Sequence, residues 1–89
     1  MTLTEIAKTF GPRHTWTTKQ EEIVIQAIRS IIGQTFVCNH PNASNMMATV
    51  VEPQPHSRGT ELELSSPTFS SETHSCDIFH FVQYYTPSV

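Results

Sequence analysis

Two cysteine–histidine pairs stand in mirror order along the chain, Cys38-Asn39-His40 and His74-Ser75-Cys76. On a β-strand, residues two apart share a face. Each pair would therefore offer one sulfur and one imidazole nitrogen to the same side. Were the two strands antiparallel neighbours, the four groups could converge as a Cys2His2 zinc site, with His56 and His80 as outer ligands. Structural zinc sites usually draw their ligands from tight knuckles with short Cys–Cys spacing, and the chain has none. Buried free cysteine is also an ordinary packing residue. The expectation is no metal and no cofactor, with Cys38 and Cys76 as reduced, buried thiols.

A second group of polar residues lies in one loop, His56-Ser57-Arg58-Gly59, bounded on its N-terminal side by Pro53 and Pro55. A guanidinium forks onto phosphate or carboxylate, and serine and backbone N–H groups add donors. Phe69, in the Ser-rich stretch from Ser65 to Ser71, could stack over a captured ligand. His56, Ser57, Arg58 and Phe69 are accordingly the candidate residues for a small anion. Nucleophilic catalysis could be drawn from either cysteine with a histidine and Asp77. Five histidines beside two cysteines make such triads easy to draw and uninformative. The chain has no nucleophile elbow, phosphate-cradling glycine loop or metalloprotease motif. A non-enzymatic protein is expected.

Composition sets the frame for these groups. Residues 1–89 make one small domain, with a stability margin on the order of 5 kcal/mol. The net charge is −3, and the only basic residues besides histidine are Lys8, Arg13, Lys19, Arg29 and Arg58. Their scatter argues against nucleic acid, which calls for clustered Lys and Arg. Thr4 to Gly11 resembles the opening helix of a helix-turn-helix, but Pro12 to Thr18 intervenes where a recognition helix should begin. No apolar run approaches a membrane span. The first residues lack the basic start and apolar core of a signal peptide, so a cytoplasmic location is expected.

The elements that must position these residues follow from caps and periodicity. Thr2-Leu3-Thr4-Glu5 has capping-box form and introduces a helix over Thr4 to Phe10, ended by Gly11-Pro12. Thr17 or Thr18 caps a second helix, with Gln20 and Glu21 three residues on. Its stripe of Val24, Ala27, Ile28 and Ile31 runs at helical spacing to Gly33. From Gln34 the period becomes two. Strands are expected over Phe36–His40, Met46–Glu52 and Thr60–Leu64, the last with Leu62 and Leu64 inward and Glu61 and Glu63 in water. Cys76 to Tyr85 reads as a fourth strand, apolar on both faces.

The fold expected is therefore α+β, with two N-terminal helices packed on a four-stranded antiparallel sheet. Helices cover one sheet face, and a second copy should cover the other. Phe79, Phe81, Tyr84 and Tyr85 are the candidate interface of a homo-oligomer, most simply a dimer. The functional expectation is a small accessory protein that blocks a partner protein or captures a small ligand, in the manner of short inhibitors from phages and mobile elements. The alternatives are an oligomeric sponge for an anionic, nucleotide-like ligand and a compact helix-turn-helix regulator.

Overall fold

The computed structural model describes residues 1–43, 45–66 and 72–88. Among them, three α-helices and a five-stranded antiparallel sheet confirm the α+β class. Helix α1 (Leu3–Thr9) opens with the expected capping box: Thr2 Oγ1 accepts from the Glu5 N–H at 3.2 Å, and Glu5 Oε1 from the Thr2 N–H at 3.0 Å. Helix α2 (Thr18–Arg29) repeats the device with Thr17 and Gln20. Each box satisfies donors that a helix start otherwise leaves open. Past the end of α2 the chain turns at Gly33, whose φ of 93° suits a residue without a Cβ. Its N–H donates to Val50 O at 2.7 Å, tying the turn to the sheet.

The strands are β1 (Thr35–Cys38), β2 (Met46–Val51), β3 (Leu62–Ser65), β4 (Thr73–Cys76) and β5 (Tyr85–Pro87), in the order β4-β3-β2-β1-β5. The pairings place Phe36, Cys38, Ala48, Val50, Leu62, Leu64 and Cys76 on one face. All of these are buried, in one core with Ile6, Trp16, Val24 and Ile28. Trp16 joins the core through Phe10 and Phe79, at ring-centroid distances of 6.3 and 6.2 Å, and donates its indole N–H to Gly11 O at 2.8 Å.

Two expectations are corrected. The stretch from Cys76 to Tyr85 is not one strand: Cys76 ends β4, residues Ile78–Tyr84 form helix α3, and Tyr85 begins β5. The switch lies at Asp77, whose Oδ1 accepts from the His80 N–H at 2.8 Å and caps the helix. Ile78, Phe81, Val82 and Tyr85 also satisfy the i, i+3, i+4, i+7 pattern of a buried helix stripe. The aromatic and β-branched residues that favour a strand locally are overridden by that cap and by packing on α1. The count becomes three helices and five strands. Glu63 is the second correction. It is 5% exposed instead of facing water, with Oε1 accepting from Ser75 Oγ at 2.9 Å across β3 and β4.

Replacing Asp77 by Ala should cost roughly 1 kcal/mol, the usual effect of losing an N-cap. Urea unfolding should show a lower midpoint with an unchanged slope. A strand at this position would be indifferent to the change.

Candidate functional site

The four proposed zinc ligands lie on β1 and β4 or just beyond, and two strands separate these elements. The premise of adjacent strands therefore fails. Among the described residues no group of three or more His, Cys, Asp or Glu side chains is placed to hold a metal ion. His40 and His80 do meet, with ring centroids 6.1 Å apart, and Tyr84 packs against both at 4.6 and 4.8 Å. His40 Nδ1 accepts from the Asn42 N–H at 3.1 Å, which fixes this ring to the turn after β1.

The two thiols are buried. Burial pushes the Cys76 thiol up to about 12, with the neighbouring carboxylates of Asp77 and Glu61 adding to the effect. At neutral pH it therefore stays protonated and offers no thiolate. Tyr85 is raised as well, first by burial and then by its hydrogen bond with Cys38. Cys76 at the end of β4 and Tyr85 at the start of β5 act as neutral packing residues on either side of α3.

The anion-loop residues are surface groups. His56, Ser57 and Arg58 are exposed, and Ser57 Oγ accepts from the Gly59 N–H at 2.9 Å, closing a local turn. Arg58 Nη1 stands 4.0 Å from Glu21 Oε2 at the start of α2, with its side chain 79% exposed. Any anion drawn to Arg58 must compete with that carboxylate and with water. Phe69 lies outside the described residues. The proposed interface quartet also disperses: Phe81 and Tyr85 are buried and stack on each other at 5.0 Å, whereas Phe79 and Tyr84 are half-buried.

The concave surface lies elsewhere. Where the start of α1, the end of α2, β1, α3 and β5 converge, they line a half-open cavity of about 300 Å³. Its apolar walls include Leu3, Ile31, Phe36, Phe81 and Val82. Thr2, Thr4, Ser30 and Gln34 supply polar atoms, and none of its described lining side chains is charged, the one formal charge being the α-amino group of Met1. Ser30 Oγ donates to Ala27 O at 2.6 Å, so part of that polarity is already used. A shallower groove of about 500 Å³ runs along α2 past Ile23 and Gln26, with Lys19 and Glu22 among its lining residues. The two share Met1, Ala27 and Ser30, making one continuous depression. Sequence reading missed this site because its walls come from five separate elements. The only signal was Ala27 and Ile31 on the α2 stripe, which reads equally as core.

No family model matches the chain, and no curated protein or solved structure matches it either.

Proposed function

We propose that the chain is a non-catalytic binding protein that captures a small, uncharged and mostly apolar ligand in the depression between α1, α2 and α3. The observation that carries this reading is the cavity of about 300 Å³ whose side chains are apolar or neutral and polar. That size and lining are typical of small-molecule sites. Burying a charge there would be costly without a partner, so the ligand's enclosed part is neutral. The thiol most exposed to mechanistic suspicion, Cys76, is held protonated, which supports a binding role over covalent chemistry. The anion-sponge alternative is weakened by the Glu21 carboxylate beside Arg58.

Nile red, a neutral apolar dye, tests the reading. It should bind saturably, one per chain, with a rise in fluorescence. Val82→Glu places a carboxylate on the half-buried wall and should weaken binding by about tenfold or more. Arg58→Ala should leave it unchanged. Absence of saturable binding, or equal affinity in the Val82→Glu variant, would contradict the proposal.

A further inference from the structure

The cavity opens sideways along α2 as well as outward. Met1, Ala27 and Ser30 line both the cavity and the groove, so the hollow continues from one into the other. The groove's remaining residues, Lys19, Glu22, Ile23 and Gln26, share one face of α2 with Ala27 and Ser30, at intervals of three or four. From Lys19 to Ser30 the chain advances roughly 16 Å, at about 1.5 Å per residue. The depression is therefore a track with a deep end and a shallow one.

Its chemistry changes along that length. At the deep end Leu3, Phe36 and Phe81 are buried, and Ile31 and Val82 are half-buried. In the middle, Ala27 is buried and Ile23 packs half-buried against the core. At the shallow end Lys19 and Glu22 are exposed, one of each sign, and among the described residues neither forms an ion pair. Exposed Gln26 adds an amide that both donates and accepts.

We infer, building on the capture of an apolar ligand proposed above, that the ligand is a neutral single-chain amphiphile: an alkyl chain seated in the cavity, with an uncharged hydroxylated head lying along α2 beside Gln26, Glu22 and Lys19. A compact ring system would fill the cavity and leave the groove to water, whereas a chain with a head occupies both. Only the apolar end can enter the cavity without losing hydration that nothing replaces.

The two signs in the groove select the head. A hydroxyl donates and accepts, so a polyhydroxy head can serve the Glu22 carboxylate and the Lys19 ammonium together. The α-amino group of Met1 adds donors that a hydroxyl oxygen also accepts. A carboxylate head would stand beside Glu22, and an ammonium head beside Lys19 and Met1; each meets a like charge. The exposed head contacts orient the ligand, and the buried chain supplies the affinity. Each methylene taken from water should tighten binding roughly fourfold.

Octyl glucoside, kept below its micelle concentration, is the probe, titrated into the full chain by calorimetry and by amide chemical shifts. It should bind saturably, one per chain, and roughly fourfold more tightly than heptyl glucoside. Octanoate and octyltrimethylammonium, with the same chain length and a charged head, should bind more weakly. Shifts should extend from Ile31 and Val82 to Ile23 and Glu22, with Val37 and Met47, paired on the opposite sheet face, silent. Gln26→Trp, at an exposed position, should keep its circular dichroism and Tm while blocking the groove and weakening octyl glucoside by about tenfold. Shifts confined to the cavity, octanoate binding as tightly as octyl glucoside, or indifference to Gln26→Trp would each overturn the inference, and saturable Nile red binding would then leave the capture of an apolar ligand standing. Failure of both probes to bind would overturn the two together.

Discussion

Phe81→Asp should abolish cooperative folding. Phe81 is 3% exposed, meets Phe36 edge-on at 4.8 Å and stacks on Tyr85 at 5.0 Å. A carboxylate there would lose this aromatic packing and have to bury its charge. The combined cost exceeds a margin on the order of 5 kcal/mol. Phe81→Ala removes packing alone and should cost about 3–5 kcal/mol. Half-buried Phe79, at the edge of Trp16, should lose clearly less on the same truncation. The contrast distinguishes helix from strand, since a strand would set Phe79 and Phe81 on one face with similar costs. Urea unfolding of the three variants reads the difference.

Ile28→Ala is the second large effect expected. Ile28 is fully buried at the centre of the α2 stripe, facing a core built from all three helices and the sheet. Deleting its branched side chain leaves a cavity and should cost about 2–5 kcal/mol. Ile25, off the stripe and half-buried, should lose much less when truncated. Equal losses at the two positions would mean that α2 buries a different face.

These residues also mark where local sequence is enough to specify structure. Both capping boxes, the α2 stripe and the paired alternation of β1 and β2 are encoded within a few neighbouring residues, and each was legible. Helix α3 was missed because Ile78, Phe79, Phe81, Val82 and Tyr84 have strong strand propensity. Only the Asp77 cap and the 3–4 spacing of Ile78, Phe81, Val82 and Tyr85 reveal the helix. Glu63 was misplaced because alternation identifies the face of a residue but not what shares that face. Its partner, Ser75, comes from another strand.

The site was less legible than the fold. The His56–Gly59 loop attracts notice by composition, but the carboxylate facing Arg58 lies 37 positions away in the chain, at Glu21. The cavity is the opposite case: Leu3, Ile31, Phe36, Phe81 and Val82 look like ordinary core residues one by one. Only their convergence leaves a gap between them, and that depends on how five elements meet.

The most direct test of the binding account is a titration of isotopically labelled protein with Nile red, followed by amide and methyl chemical shifts. The account predicts saturable changes concentrated at Leu3, Ala27, Ile31, Val82 and Tyr85, with the Arg58 loop silent. Changes confined to Ser57, Arg58 and Gly59, or centred on Val37 and Met47 with the cavity residues unmoved, would contradict it.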